Sequence, residues 1–223
     1  MYMRNPYLDA LYAACRHVQH VVLDVPKIVE TGDRIALSNF VVPDWKGPLF
    51  PDDDLWAEFV FWTSSINFAF TDTFDGVPYS LEYPKGSIQS GSNAMYAAFI
   101  RAMERGVPAL DAEFWRSITP ELFDEFFAGS TPLPMLQERR QLLAKNARTL
   151  ISQYGGKSEN VLKESNYNCF TRKNVPGLVD RLASDFTFCD DVLYRPATYP
   201  SGIRLTFNKR AQLLALLYQA RAQ

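Results

Sequence analysis

The run Phe61-Trp62-Thr63-Ser64-Ser65-Ile66-Asn67-Phe68-Ala69-Phe70 is the strongest constraint on how this chain folds. Six of its ten residues are aromatic or aliphatic, so the segment belongs inside a core or against a ligand. Asn67 must then find partners there, because a buried amide left without hydrogen bonds costs roughly 1–3 kcal/mol. Two readings stand open. Asn67 caps a turn within a core segment, or it meets the edge of a flat heterocycle walled by the rings beside it.

A core of this kind needs chain to surround it. With 223 residues and 47% hydrophobic content, the chain supports one large core or at most two small ones. Its formal net charge of −2 gives no electrostatic reason to expect long nucleic acid or an anionic membrane as partner. A few local cations still suffice for a small anion. Cys15, Cys169 and Cys189 are widely spaced and odd in number, which argues against a disulfide framework. The stretch from Met1 to Asp24 has no apolar h-region, and so does not read as a signal peptide. No apolar run approaches the roughly 18 residues that span a bilayer. A soluble protein of the cytoplasm is expected.

Apolar periodicity points to helices. Leu8, Leu11, Tyr12, Cys15, Val18 and Val22 recur at helical spacing over 6–22, and a short helix among turns is expected over 23–54. Leu55 to Trp62 reads as a helix entering the aromatic run. Val77 to Tyr83 reads as a strand or hairpin. Ser90 to Arg105 forms a helix ended by Gly106 and Pro108, and Asp111 to Trp115 a short one. Thr119-Pro120 opens another as N-cap and first-turn proline, with Leu122, Phe123, Phe126 and Phe127 as its apolar face.

Met135 to Tyr154 is the longest helix, with Leu136, Leu143, Ala147, Leu150 and Ile151 inward and Gly155-Gly156 at its end. Asn160 to Phe170, Val175 to Phe186 and Arg210 to Ala222 complete the helices, and Ile203 to Phe207 alternates briefly. The expected fold is mainly α (α+β): a single helical domain over 1–223 with a small β element.

Chemistry-bearing residues are few. His17 and His20 are the only histidines. Their spacing suits a metal, but no Cys or acidic cluster accompanies them, so neither a metal site nor an imidazole-based triad is expected. No phosphate loop or dinucleotide fingerprint can be written from the glycines, and no cofactor is expected. The loop Gly86 to Ser92 leads into a helix whose free N–H groups suit an anion, or it is a plain turn. Glu138-Arg139-Arg140 is a charge run early in the longest helix. Glu164-Ser165-Asn166-Tyr167-Asn168 is polar for five residues of an expected helix, as at the border of a cavity. Lys209-Arg210 follows a strand and opens a helix, where it suits phosphate or carboxylate, or is an exposed turn.

Five segments together resemble the queuosine salvage protein family, the queuosine 5'-phosphate N-glycosylases. Ile66-Asn67-Phe68-Ala69-Phe70 is similar to its L-N-F-x-F-W motif. Ser90-Gly91-Ser92 with Ala97-Ala98 and Ala102 to Pro108 is similar to its G-Y/S, A-A and A-x-x-x-G-I-P series. Pro134 to Arg139 resembles P-L-x-E-E-R. Tyr154-Gly155-Gly156 with Asn160 to Ser165 resembles F-G-G-S-F-x-N and E-S/C. Phe207 to Gln212 resembles F-Y-K-R-A-Q.

The resemblance implies an α-rich, DNA-glycosylase-like fold and hydrolysis of the bond between a 7-deazaguanine base and ribose phosphate. Queuine would be released for reuse in tRNA modification. The implied partner is a small nucleotide, queuosine 5'-phosphate, or free queuine. It implies that Phe68 and Phe70 stack on or wall the base and Asn67 supports its edge or the surrounding loop, while Lys209 and Arg210 meet phosphate or ribose. Glu138 and Arg139 are expected to form a buried structural ion pair, and Glu164 is the candidate carboxylate.

The chain departs from the family pattern in three places. Thr71 stands where the family has tryptophan, and Leu217 where it has aspartate. The downstream F-A-D-Y-R-V-P-Q motif, which holds the family's catalytic aspartate, has no counterpart, so the C-terminal part of the family domain is expected to be missing. Two alternatives to a glycosylase follow: a catalytically inactive 7-deazaguanine nucleotide- or base-binding module, and a structural helical relative.

Overall fold

A computed structural model describes residues 12–17, 24–37, 53–72, 74–189, 192–195, 197–205 and 213. The chain divides into two compact units, one formed by 1–51 with 191–207 and the other by 52–190 with 208–223. In chain order the first elements are α1 (Val25–Leu37), α2 (Asp53–Ser65), β1 (Ser80–Glu82), β2 (Ile88–Ser90) and α3 (Ser92–Glu104). They are followed by α4 (Ala112–Ser117), α5 (Pro120–Phe126), α6 (Leu136–Tyr154), α7 (Ser158–Glu164) and α8 (Leu178–Asp185). A 3-10 turn at Thr187–Cys189 precedes β3 (Val192–Tyr194) and β4 (Ile203–Leu205). The molecule is mainly helical with small β elements.

The larger unit is built around α2. Every residue from Trp56 to Ser65 is buried, so this stretch of the helix has no solvent face and two of its hydroxyls bond back to the main chain. The Thr63 hydroxyl donates to the Phe59 carbonyl at 2.7 Å, and that of Ser65 to Phe61 at 2.8 Å. This is the usual solution for small hydroxyls within a helix. Glu58 is buried as well, and its Oε1 accepts the Ser158 N–H at 2.7 Å, which ties α2 to the start of α7.

Aromatic rings fill the space beside α2. Phe99 from α3 meets Phe126 edge-on at 5.1 Å and Trp115 at 5.5 Å. Trp115 meets Trp62 at 6.1 Å. A buried indole needs an acceptor for its N–H. Trp62 donates to the Leu110 carbonyl at 3.2 Å and Trp115 to Ala109 at 2.8 Å. The connection between α3 and α4 thus supplies the acceptors for both indoles.

Local signals set several helix ends. Asp111 accepts from the Glu113 N–H and Thr119 from that of Leu122, with Pro120 opening the helix. Gly155 closes α6 at φ +59°, and the Gly156 N–H returns to the Leu150 carbonyl at 2.8 Å.

Four expectations shift. The helix expected over Asn160 to Phe170 stops at Glu164, because Asn166 and Tyr167 take φ values of +49° and +54°. The five-residue polar stretch after Val161-Leu162 is therefore a turn and not a polar helix. The helix expected from Val175 starts at Leu178, after Pro176 and the N-cap Gly177. Gly86 to Ser92 is not a plain loop, since Ile88–Ser90 pairs antiparallel with Ser80–Glu82. Leu122, expected inward, is 40% exposed while Phe123, Phe126 and Phe127 are buried. The helix expected over Arg210 to Ala222 lies outside the described residues except for Leu213, which is helical and buried.

In the smaller unit, α1 is longer than the expected short helix. Asp24 accepts the Lys27 N–H at its start, and Glu30 pairs with Arg34. β3 and β4 form a hairpin in which Leu193 faces Arg204. The β3 half of this hairpin was not legible in the sequence. The His17 ring bonds the Thr198 hydroxyl at 3.1 Å and lies 5.0 Å from the Tyr199 ring. His20 lies outside the described residues. Among the described residues, no helix is long and apolar enough to cross a membrane.

Candidate functional site

Beyond Ser65 the chain leaves α2 through a tight reversal. The Ile66 N–H returns to Thr63 at 3.2 Å, and Ala69 adopts φ +43°. The Phe70 carbonyl then accepts the Tyr79 N–H at 2.7 Å, and Thr71 bridges Pro78. The loop 66–70 is thus pinned between a buried helix and the segment leading into β1. Asn67, Phe68 and Phe70 are all half-buried. The Asn67 Nδ2 donates to the Tyr96 hydroxyl at 3.2 Å, so this amide is partly satisfied by α3. Burial pushes the Tyr96 phenol upward, keeping it protonated.

Arg139, on α6, holds this loop. Its side chain is 0% exposed. Nε donates to the Pro134 carbonyl at 2.8 Å, Nη1 to Ile66, and Nη2 to Phe68 and, at 2.8 Å, to Ala69. The guanidinium carbon also lies 4.3 Å from the Phe68 ring centroid and 5.0 Å from that of Phe70. Contacts of this kind add cation–π attraction to the hydrogen bonds. Burial lowers the guanidinium to about 10, partly opposed by the neighbouring Tyr79 and Glu138 side chains. It remains a cation at neutral pH.

The expected Glu138–Arg139 ion pair is not formed. Glu138 is exposed and reaches Arg139 only through its charge, because α6 turns successive residues about 100° apart. Carbonyl oxygens, not a carboxylate, satisfy the buried cation.

Segments distant in sequence meet here. Ile66 to Phe70 forms the loop, and Pro134 to Arg139 supplies both the guanidinium and one of its acceptors. Gly91 sits beside Phe70, with an added Cβ falling 3.9 Å from the Phe70 Cβ, and Tyr96 extends from the helix that Gly91 caps. Three of the five segments that resemble a family pattern therefore converge on one place.

The fourth segment lies in a separate polar cluster. Glu164 is 47% exposed, and its Oε2 pairs with Arg181 Nη1 at 3.1 Å. Arg181 also donates to the Glu164 carbonyl at 2.9 Å. Nearby along α8, Asp185 accepts from the Tyr154 hydroxyl and from Ser184. Burial, together with the bond to Asp185, raises the Tyr154 phenol to about 12. Lys209 and Arg210 lie outside the described residues, as do the rest of Phe207 to Gln212. Sequence reasoning missed the organising role of Arg139. The available signals were a cation placed among apolar residues of the α6 stripe and its place in the Pro134 to Arg139 segment.

A family model described as "Queuosine salvage protein" matches residues 49–220. The "Queuosine 5'-phosphate N-glycosylase/hydrolase" of Sphaerobacter thermophilus is 28% identical over 199 residues, a match covering 88% of this chain and 57% of that protein. Proteins of the same name from Bos taurus and Mus musculus are 27% and 26% identical. These matches cover 73% and 80% of this chain, and 45% and 51% of the relatives. The chain spans about half the length of the relatives it matches.

Proposed function

Because the chain belongs to the queuosine salvage protein family, we propose that it holds a queuosine 5'-phosphate nucleotide and takes part in hydrolysing its N-glycosidic bond. The relatives' printed name supports this reading. The observation that carries it is the convergence of Ile66 to Phe70, Gly91 with Tyr96, and Pro134 to Arg139 around one half-buried aromatic loop.

The chemistry makes definite demands. The bond between C1' of the ribose and the base nitrogen breaks, and its electron pair leaves with the base. A water oxygen bonds to C1', and the proton it sheds balances the base. The sugar passes through an oxocarbenium-like state, so the reaction needs negative charge near the sugar and donors near the base. In this reading Phe68 and Phe70 wall the planar base and Asn67 meets its edge. Lys209 and Arg210 take the phosphate or ribose, and Glu164 is the candidate carboxylate. Queuine, the released base, returns to tRNA modification.

A second reading is that the chain binds the nucleotide or base without turnover. The ion pair between Glu164 and Arg181 favours it, because that carboxylate is already engaged. One experiment separates the two. Purified protein is mixed with queuosine 5'-phosphate, heat is recorded by calorimetry, and queuine is followed by chromatography. Heat with queuine release supports the glycosylase, and heat without release supports the binding module. No heat with either nucleotide or queuine rejects both.

A further inference from the structure

The guanidinium of Arg139 has five N–H groups, and four of them point at main-chain carbonyls from Pro134, Ile66, Phe68 and Ala69. Three of those carbonyls belong to the loop that carries Asn67, Phe68 and Phe70. A lysine ammonium has no comparable planar fork and cannot engage them in the same pattern. Among the described residues, no carboxylate forms an ion pair with this buried cation. The carbonyl dipoles offset its desolvation, but they leave its net charge intact.

We propose that Arg139 is a positioning residue: it presets loop 66–70 for a planar base and keeps its positive charge behind the Phe68 and Phe70 rings. This rests on the nucleotide reading for the identity of the ligand, although the presetting of the loop does not. A cation against one face of an aromatic ring draws electron density toward itself. The opposite face then better receives an electron-rich heterocycle. A base departing with the bond's electron pair gains most from such a charge, because the interaction grows as negative charge develops. The loop's half-buried rings and reversed backbone at Ala69 need an anchor of this kind to hold one geometry before ligand arrives.

The test compares Arg139→Met, which removes charge and fork, with Arg139→Lys, which keeps charge alone. Circular dichroism checks folding, and amide hydrogen exchange is read without ligand. Calorimetry with queuosine 5'-phosphate and with queuine measures affinity. Expected is exchange across 67–72 about tenfold faster in both variants, with the protection of α2 and α6 retained. Nucleotide affinity should fall about tenfold or more in Arg139→Met and less in Arg139→Lys.

Unchanged exchange in the loop, or exchange raised equally through α2, α3 and α6, overturns the proposal. Equal affinity loss in both variants overturns its charge component. Should Arg139→Met fail to fold, the exchange of Arg139→Lys decides the positioning role, and its affinity relative to the parent decides the charge component. Local loosening in a protein whose parent form binds neither ligand upholds the positioning role, and rejects the nucleotide reading together with the proposed effect of charge on the base.

Discussion

Tyr79 is fully enclosed, and its hydroxyl donates to the Phe127 carbonyl at 3.0 Å. Burial raises this phenol to about 12, against the opposing pull of Arg101 and Arg139. Below pH 10 the phenol is protonated whether the chain is folded or not. Between about 10 and 12 the unfolded chain ionises first, so the folded state loses this share of its stability as pH rises. Replacing Tyr79 by Phe should cost about 1 kcal/mol at pH 8, because the Phe127 carbonyl loses its donor. The gap between parent and variant should narrow at pH 11. Urea titrations at the two pH values check both parts, and a gap of constant size refutes the ionisation argument. Asn67 was legible as an unusual residue because an amide amid aromatic rings violates the binary pattern. Arg139 was expected to be buried, but with Glu138 as its partner, since a cation's usual buried counterpart is a carboxylate. Only the fold reveals that the carbonyls of a distant reversal await it.

Elements begin and end where local chemistry dictates, and this is where the sequence was most readable. Asp111, Thr119-Pro120 and Gly155 each act within a few residues, so their helix boundaries followed from residue type alone. The end of α7 did not, because it depends on left-handed backbone at Asn166 and Tyr167, a conformation no tyrosine signals. The start of α8 depends on close approach. A Cβ at Gly177 would fall 2.3 Å from the Phe170 carbonyl carbon and 2.6 Å from the Cys169 oxygen. Both are main-chain atoms and cannot swing aside. Gly177→Ala should therefore destabilise by about 1–3 kcal/mol through forced backbone movement. Its φ of −75° suits alanine, so the cost is steric and not conformational. Thermal melting checks the loss, and a variant as stable as the parent would refute the clash.

At the scale of the whole molecule, family resemblance located residues that physics alone left scattered. Three similar segments meet at loop 66–70, and the one containing Lys209 lies outside the described residues. The fold class was readable because helical periodicity repeats through most of the chain, whereas the three-residue strands are too short to announce themselves. The larger unit depends on its aromatic centre. Trp115→Ala removes a ring touching Trp62, Phe99 and Phe126, and should cost about 3–5 kcal/mol. Urea denaturation is the measurement, and a loss below about 1 kcal/mol would mean the cavity collapses without penalty. The enclosure of Trp62 and Trp115 has an optical consequence. Two indoles shielded from solvent and hydrogen-bonded to main chain emit toward the blue, and their fluorescence moves red when water reaches them. The unit thus carries an intrinsic spectroscopic gauge of its own integrity, readable without any attached label.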